Sequence, residues 1–307
     1  MKHIFIINPA AGTGESEKSI LPEVIKFIKE HGDDFEIHRS LNKAEIGTYV
    51  KARASAGYPV RFYAVGGDGT ICDVLNGMAE YGNAELAIIP CGSGNDFARN
   101  FSHKENFFDV QNFVDGEIEY VDVIKYNDSY CMNMLNIGTD CDINIYATKL
   151  RAQNKAKGAM SYVSAALHIL PKAHYYDIEY VDETGVHRRE NVLLACVGNG
   201  VYCGGGFKPL PKAKINDGFM DVLILRPIKG VKLMKMLAKY RVGAHLKDKD
   251  AEQVITYMQL SEFRLIPHEP VKMCVDGETE DFRETYFKVI PKAIKFVVPK
   301  GSEIISK

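Results

Sequence analysis

The sequence contains no apolar run of roughly 18 residues, the length that a membrane-spanning helix requires. Its N-terminus passes from Met1-Lys2-His3 directly into the strand-like segment 4–7, which is too short for the apolar region of a secretory signal. We therefore expect a cytoplasmic protein without a transmembrane segment.

The sequence also has little net charge and no cysteine pattern typical of a metal site. Lysine and arginine number 38 against 40 acidic residues, for a formal net charge of −2, so bulk electrostatics indicate no nucleic-acid partner. The seven cysteines are odd in number and form no Cys-x-x-Cys pair, which predicts reduced thiols and disfavours zinc. The chain of 307 residues is 46% hydrophobic and suits two globular domains.

A glycine-rich loop lies between a strand-like segment, 61–65, and a helix-patterned segment, 71–81. Glycine lets backbone amides approach a phosphate directly, and the N-terminus of a helix favours negative charge. We expect Thr70 to cap that helix. A plain strand-turn-helix connection needs one glycine rather than three. The loop therefore predicts a nucleotide-phosphate site made of Gly66, Gly67, Asp68, Gly69 and Thr70.

Apolar strands alternate with helical patterns through the first part of the chain, with strands at 4–7, 35–38, 61–65 and 86–90. This alternation predicts a parallel sheet that is covered on both faces. Such sheets bind ligands at the carboxyl ends of their strands, where the loops 8–14, 40–43, 66–70 and 91–96 should converge. The first loop is not a Walker A motif, because Lys18-Ser19 does not follow a glycine at the required spacing.

From about Ile118 the pattern changes to short antiparallel strands, which predicts a β-sandwich. We expect hairpins between 119–124 and 130–135 and between 178–181 and 192–197, with later strands at 219–225, 254–258, 262–266, 271–275, 285–290 and 294–298. Two helices should interrupt these strands. Residues 158–170 are apolar almost all round, which favours burial over a role in lining an apolar pocket. Residues 231–246 are basic and methionine-rich, which fits packing on the domain better than contact with an anionic membrane.

Three aspartates occur in predicted loops that contain glycine. Asp68 lies inside the glycine-rich loop, Asp96 follows strand 86–90, and Asp276 follows strand 271–275. An isolated Asp-Gly pair is usually a turn or a helix cap. Three such carboxylates at strand ends instead indicate phosphoryl transfer, which uses acids to bind Mg²⁺ and to accept a proton.

Several segments, taken in order, resemble the signature of the diacylglycerol kinase catalytic domain of bacterial soluble lipid kinases and sphingosine kinases. They are 8–12, 66–70, 92–99, 199–200, 204–209, 214–222 and 275–278. The resemblance implies an α/β fold plus a β fold. A parallel-sheet nucleotide domain similar to NAD kinases and phosphofructokinases would span 1–120 with a returning segment, 292–307. A β-sandwich lipid-substrate domain would span 121–291.

The resemblance also implies roles for individual residues. Those that would bind ATP are Asn8, Pro9, Ala10, Ala11, Gly12, Ser40, Gly66, Gly67, Asp68, Gly69, Thr70, Ser93, Gly94 and Asn95. Ser40 is the looser match, because the loop after it is shortened, and Ser93-Gly94 stand where the family often has two threonines. A structural Mg²⁺ would take backbone carbonyls from Lys214 and Phe219 and the carboxylate of Asp217, with Asp68, Asp96 and Asp122 joined to it through water.

Two residues compete for the role of general base. Asp276 matches the base of bacterial diacylglycerol kinases, whereas Asp68 matches the acid that has this role in sphingosine kinases. We expect Asp68 to organise nucleotide and Mg²⁺ and Asp276 to accept the proton.

The resemblance implies an ATP- and Mg²⁺-dependent lipid kinase that meets its substrate, most simply diacylglycerol, peripherally at the inner membrane face. Two alternatives stay open. An NAD kinase shares the loop 66–70, but the segment 94–99 argues against it. A catalytically silent lipid- or nucleotide-binding protein is disfavoured by the intact Asp68, Asp217 and Asp276. Unpaired edge strands in a β domain also favour a homodimer.

Overall fold

The structure is a computed structural model that describes residues 1–9, 15–32, 34–153, 155, 159–249 and 251–305. It divides into two compact units. The first comprises Met1–Asp122 and Lys292–Ile305, and the second comprises Val123–Pro291. In these ranges no helix has both the length and the apolar character needed to cross a bilayer.

The first unit alternates strands and helices. Its elements are β1 (Lys2–Ile7), α1 (Glu15–His31), β2 (Phe35–Arg39), α2 (Lys43–Ala54), β3 (Val60–Gly66), α3 (Asp68–Met78), β4 (Ala84–Pro90) and α4 (Val110–Val114), with 3₁₀ turns at Phe97–Asn100 and Lys104–Phe108. The strands form a parallel sheet in the order β2-β1-β3-β4. Every residue of β3 is buried, as expected for a strand enclosed on both faces. The predicted parallel sheet is confirmed.

The order of these strands creates a switch point between β1 and β3. From β1 the chain first moves to β2 on one side and then returns to β3 on the other side. The chain therefore continues from β1 and from β3 towards opposite sides of the sheet, the arrangement that forms a crevice beyond the carboxyl ends of the two strands in open α/β sheets. Open α/β sheets bind their ligands at such a crevice.

The second unit is built mainly of antiparallel strands. Its elements are β5 (Glu117–Tyr126), which begins in the first unit, β6 (Ser129–Cys131), β7 (Met134–Gly138), α5 (Thr139–Ala152), α6 (Ala159–Ile169), β8 (Tyr176–Asp182), β9 (His187–Val192), β10 (Leu194–Gly198), β11 (Met220–Leu225), α7 (Gly230–Val242), β12 (Ile255–Leu260), β13 (Glu262–Pro267), β14 (Val271–Val275), β15 (Glu278–Phe282) and β16 (Thr285–Val298). Residues 285–288 of β16 pair with β13, whereas Lys295 and Phe296 pair in parallel with β4 of the first unit's sheet.

Two layers of strands enclose the core of this unit. One sheet has the order β12-β11-β10-β7-β14-β15, and in the facing layer β13 pairs with β8 and β16. Ala195 and Val197 of β10 point into the core between the layers, while Leu194 and Cys196 point to the opposite face, against α5, α6 and α7. Because both faces of this sheet are covered, β10 is apolar throughout. The predicted β-sandwich is confirmed.

The predicted hairpin between 178–181 and 192–197 is wrong. β8 pairs instead with β9, and the segment 194–198 is β10, a strand of the six-stranded sheet. β9 is mostly exposed and has the sequence His-Arg-Arg-Glu-Asn-Val, so it lacks the apolar alternation that marks a strand. For the same reason, the sequence analysis did not predict the charged strand β15, Glu-Thr-Glu-Asp-Phe.

Two further details differ from the predictions. The second unit has a third helix, α5, whose apolar residues follow no clear helical period. Residues 285–290 and 294–298 belong to one strand, β16, in which Lys292, after Pro291, has a φ of 53°. Because proline commonly marks the end of a strand, Pro291 led the sequence analysis to predict two strands instead of one.

The helices α2 and α3 pack closely because glycine stands at their contact. A Cβ atom on Gly77 would lie 2.7 Å from Val50 Cβ and 2.8 Å from the carbonyl oxygen of Gly47. A Cβ atom on Gly47 would meet its nearest neighbour, the carbonyl oxygen of Asp73, at an ordinary 3.5 Å. The contact therefore excludes a methyl group at position 77 and admits one at position 47.

The substitution Gly77→Ala should lower the free energy of unfolding by about 1–3 kcal/mol, because the new methyl group forces α2 and α3 apart. Gly47→Ala is the matched control and should be neutral or stabilising by up to about 1 kcal/mol, since alanine favours the helix without a clash. Urea denaturation of both variants measures the difference. Equal losses at the two positions would contradict this account of the contact.

Asp221 is fully buried in β11. The Tyr257 hydroxyl donates to its Oδ1 at 2.5 Å, and Gln259 Nε2 donates weakly to its Oδ2 at 3.5 Å. Burial raises the pKa of Asp221 to about 6. Because the folded state holds this proton more tightly than the unfolded state, the carboxyl reduces stability as the pH rises through the range from about 4 to about 6.

Replacing Asp221 with Asn should raise the free energy of unfolding at pH 7.5 by about 1–2 kcal/mol, since the amide resembles the neutral acid. Thermal melts of the parent and Asp221→Asn at pH 7.5 and pH 4 provide the measurement. The gain should shrink towards zero at pH 4, where the folded parent is already protonated. A gain of the same size at both pH values would exclude titration as its cause.

Candidate active site

The loops after β1, β2, β3 and β4 meet at the carboxyl edge of the parallel sheet. Asn8 Nδ2 donates to Thr70 Oγ1 at 3.1 Å. The Ser40 amide donates to the carbonyl of Ile7 at 3.0 Å, and the Cys91 amide to that of Gly66 at 2.8 Å. Of the positions predicted in the first loop, Asn8 and Pro9 are described, whereas Ala10, Ala11 and Gly12 lie outside the described residues.

Glycine lets the loops after β3 and β4 touch through their backbones. A Cβ atom on Gly92 would lie 2.4 Å from Gly67 Cα, and one on Gly66 would lie 2.3 Å from Thr70 Oγ1. Both positions therefore exclude any larger residue. Close packing of the loops is thus a second reason for these glycines, besides the exposure of backbone amides to a phosphate.

The helix α3 begins at this contact. Gly67 is its N-cap, and no side chain there accepts a hydrogen bond from the first helical amides. The prediction that Thr70 caps the helix is wrong, because Thr70 lies inside the first turn, where its Oγ1 accepts from Asn8. Gly69, in the same turn, is half-buried. A helix start without a side-chain cap favours an anion such as a phosphate.

The loop after β4 is held in shape by Asn95. This residue has a positive φ of 51°, its Oδ1 accepts from the Gly92 amide at 2.7 Å, and its Nδ2 donates to the carbonyls of Pro90 and Gly92 at 3.0 Å each. Its side chain therefore shapes the loop from within. Ser93, at the tip of the loop, is exposed, so its hydroxyl is accessible to a ligand.

Two carboxylates flank Gly94. A Cβ atom on Gly94 would lie 3.0 Å from Asp68 Oδ2 and 3.1 Å from Asp96 Oδ2. Asp68 Oδ1 accepts from the Asp96 amide at 3.0 Å, and Arg99 forms an ion pair with Asp96 at 3.3 Å. Mg²⁺ commonly binds one or two carboxylates together with phosphates and water, which fits this pair. Among the described residues, no cluster of three or more acidic, histidine or cysteine side chains is placed to hold a metal alone.

The residues predicted for the structural Mg²⁺ and its water network are divided between a loop of the second unit and the first unit. Asp217 Oδ1 accepts from the Phe219 amide at 3.1 Å in the loop before β11, and Lys214 is half-buried in the same loop. Backbone carbonyls and a carboxylate are the hard oxygen donors that Mg²⁺ accepts. The carboxylate of Asp122 is fully buried in the first unit, where it accepts from the Lys292 amide at 2.7 Å.

Asp276 occupies the tight turn between β14 and β15. Its φ is 45° and that of Gly277 is 92°, and positive φ at both central residues is typical of Asp-Gly hairpin turns. The carboxylate, 7% exposed, accepts from the amides of Met134 at 2.9 Å and Met132 at 3.2 Å. The Cys131 thiol donates to it at 3.4 Å. Local backbone strain and three donors thus set its orientation.

Burial raises the pKa of Asp276, and the hydrogen bonds from Met134, Cys131 and Met132 oppose this rise only in part. A carboxylate whose pKa is shifted towards neutrality is a stronger base than an exposed aspartate. The group can therefore accept a proton from a hydroxyl at moderate pH.

A small cavity of about 30 Å³ lies between the six-stranded sheet and α5, α6 and α7. Its wall is mostly apolar, with Ile143, Leu170, Leu193, Leu194, Leu225, Leu233, Met236 and Leu237. Its polar groups are Thr139, Asp140, Tyr162 and Tyr240, and the Tyr162 hydroxyl donates to Asp140. The helix predicted at 158–170 corresponds to α6, which is buried at Ala165 and Ala166 and lines the cavity through Tyr162, whereas Met160 and Leu167 are exposed, so its predicted burial is only partial.

Two models of known protein families match the chain. Residues 2–126 match the diacylglycerol kinase catalytic domain, and residues 133–298 match the YegS C-terminal NAD kinase beta sandwich-like domain. The chain is 26% identical over 301 residues to the diacylglycerol kinase of Bacillus subtilis, covering 96% of this chain and 95% of that one. It is 25% identical over 301 residues to the "Probable lipid kinase YegS-like" of Alcanivorax borkumensis, covering 96% of each.

The fold is shared with solved structures as well. A crystal structure of a diacylglycerol kinase from Bacillus anthracis superposes with a TM-score of 0.70 over 97% of each chain at 20% identity. Both domain matches lie in the order that the sequence motifs predict. The chain therefore belongs to the family of bacterial lipid kinases that combine a diacylglycerol kinase catalytic domain with a YegS-type C-terminal β-sandwich domain.

Proposed function

We propose that the protein is an ATP- and Mg²⁺-dependent lipid kinase that transfers the γ-phosphate to a lipid hydroxyl, with diacylglycerol as the expected acceptor. The observation that carries the proposal is Asp276, a buried carboxylate with a raised pKa that two backbone amides hold in one orientation. A positioned base of this kind is what a hydroxyl acceptor requires. The diacylglycerol kinases among the relatives support the choice of acceptor.

The nucleotide would bind at the crevice between β1 and β3. The amides at the start of α3 would contact its phosphates, with Asn8, Gly66 to Thr70 and Ser93 around them. The carboxylates of Asp68 and Asp96 would hold Mg²⁺, and the loop 214–219 would hold the structural ion. When bound, Mg²⁺ neutralises charge on the transferred phosphoryl group.

The acceptor would meet the protein at the turn 276–277. Its hydroxyl would give its proton to a carboxylate oxygen of Asp276 while its own oxygen forms the new bond to the γ-phosphorus of ATP. The bond between that phosphorus and the β,γ-bridging oxygen would break, and ADP would leave. The amides of Met132 and Met134 keep the carboxylate from rotating, and burial limits its contact with water. Both effects raise the fraction of encounters in which the proton acceptor is correctly placed.

The apolar cavity beneath α5, α6 and α7 supports a lipid rather than a small polar acceptor. Its wall of leucine, isoleucine and methionine side chains would disfavour water and polar groups and would contact the apolar part of an acceptor. An NAD kinase has no hydrocarbon chain to place there, which favours the lipid kinase over that alternative.

The substitution Asp276→Asn should reduce kcat/KM for the lipid by about 10²–10⁴-fold, the range for loss of a general base. The affinity for Mg-ATP, measured by calorimetry, should change by less than about twofold, since Asn keeps the shape of the side chain. Circular dichroism melts check that the variant folds. Unchanged turnover in a folded variant would remove Asp276 as the base and leave Asp68.

The pH profile gives a second readout of the same substitution. In the parent protein kcat/KM should fall as the pH drops through the raised pKa of Asp276, because only the carboxylate form accepts a proton. The pH at which activity falls on this acidic limb should lie above the usual pKa range of an aspartate. The residual activity of Asp276→Asn should not show this fall.

The substitution Asp68→Asn tests the other candidate. We expect the affinity for Mg-ATP to fall by more than about tenfold, because the amide binds a hard cation poorly. The acidic limb of the pH profile should persist. If the limb vanishes in Asp68→Asn and stays in Asp276→Asn, the two roles are reversed.

A substrate panel tests the function as a whole. Purified protein with Mg-ATP is assayed against diacylglycerol, sphingoid base and phosphatidylglycerol in mixed micelles, with NAD as a separate acceptor. Phosphate transfer to none of the lipids would refute the proposal. Formation of NADP would support the NAD kinase, and ligand binding without any turnover would support a silent binding protein.

A further inference from the structure

The carboxylate of Asp276 has a buried thiol as its neighbour. Cys131 ends β6, and its side chain is fully buried. The thiol belongs to the apolar core between the two layers of strands, and it donates to Asp276 Oδ1 at 3.4 Å. Since little water reaches this place to compete, even a weak hydrogen bond acts more strongly on the carboxylate than it would at the surface.

The thiol differs in kind from the other donors to this carboxylate. Within the ranges that the structure describes, those other donors are backbone amides of the segment 132–134. Met134 shares Oδ1 with the thiol, and Met132 donates to Oδ2. Backbone amides are present whichever side chains occupy these positions. The side chain at position 131 is therefore the donor that the sequence can vary.

The two ends of this contact are fixed by separate parts of the backbone. Cys131 pairs with Ile124 of β5 in the antiparallel hairpin of β5 and β6. The amide of Asp276 donates to the carbonyl of Met134 at 3.0 Å. The thiol and the turn are thus each held by their own main-chain hydrogen bonds, so the contact between them restricts the rotation of the carboxylate.

The strength of the donor matters for a base. Hydrogen bonds to the charged form of a carboxylate lower its pKa, whereas burial raises it. At Asp276 the effect of burial is the larger, and the pKa is raised. A thiol is a weak donor, so it orients the carboxylate with little loss of basicity. A stronger donor would make the carboxylate a weaker base, and an apolar side chain would leave it protonated up to a higher pH.

We propose that Cys131 is a positioning residue for the base: its thiol holds Oδ1 of Asp276 in place and keeps the carboxylate charged when the acceptor hydroxyl arrives. The thiol acts only through Asp276 and keeps its own proton, while the proton of the acceptor passes to the carboxylate. The inference deepens the proposed function, on which it rests for the role of Asp276.

No other titration explains a change at this carboxylate. In the described part of the chain, the titratable groups that face Asp276 are the thiols of Cys131, from β6, and Cys274, from β14. Burial raises the pKa of Cys274 well above its usual value, so that thiol stays neutral while Asp276 titrates. The helix α5 reaches the turn through Asn144, which donates to the carbonyl of Gly277 and has no titratable group.

NMR titration of Asp276 in the substrate-free, full-length protein tests the proposal. Aspartate is labelled with ¹³C at Cγ, and the signal of Asp276 is identified by its loss in D276N. In C131V, which replaces the thiol with an apolar side chain of similar volume, the midpoint should rise by about 0.5–1 pH unit, because a donor to the charged form is lost. In C131S, which keeps a donor, it should stay within about 0.3 unit of the parent or fall below it.

The matched control is C196V. Cys196 is buried in the same unit, but its thiol contacts the Tyr240 hydroxyl at 3.3 Å, on the face of the sheet that α5, α6 and α7 cover. This variant should move the midpoint of Asp276 by less than about 0.2 unit. An unmoved midpoint in C131V, equal shifts in C131V and C131S, or an equal shift in C196V would overturn the proposal. Circular dichroism melts check folding, and C131A gives the same readout if C131V does not fold.

Kinase assays separate this inference from the proposed function. In C131V the acidic limb of kcat/KM for diacylglycerol in mixed micelles should move with the NMR midpoint. Lipid phosphorylation with the same limb in the parent and C131V would overturn the inference alone. A parent protein that phosphorylates no lipid, but whose Asp276 midpoint rises in C131V, would refute the kinase and leave the control of Asp276 by Cys131 standing.

Discussion

Gly67 and Gly92 bring two loops of the parallel sheet into backbone contact, and the geometry of the nucleotide end depends on this contact. It places the start of α3 beside the loop after β4, so the carboxylates of Asp68 and Asp96 come to flank Gly94. A methyl group at either contact would separate the carboxylates from each other and from the helix start. Steric exclusion at glycine thus sets the spacing between the two carboxylates and the start of α3, on which the proposed binding of Mg²⁺ and nucleotide relies.

Asp276 and Asp221 show how two buried carboxylates of one unit differ. Burial raises the pKa of each, which reduces stability at neutral pH. Asp221 is held by the side chains of Tyr257 and Gln259 within a strand. Asp276 is held by backbone amides at a strained turn, a rigid arrangement that suits a base. The proposed role of Asp276 as a base would account for its cost in stability, whereas we propose no such role for Asp221.

The six-stranded sheet of the second unit separates a sealed core from an incompletely filled layer. Its inner face packs against the other strands, and its outer face carries α5, α6 and α7 over the cavity. The helix α7 of this layer lines the cavity through Leu233 and Met236 and exposes Val231, Met234 and Val242 on its other side.

The sequence by itself determined the two fold classes, because continuous apolar strands alternating with helices and short antiparallel strands are local patterns. It also determined the motif order that marks the family. Only the tertiary structure decided that Thr70 pairs with Asn8 instead of capping α3, that β8 pairs with the charged strand β9, and that Thr139 and Asp140 border a cavity. These features arise between residues far apart in the chain, where pairing and burial depend on neighbours that no local pattern specifies.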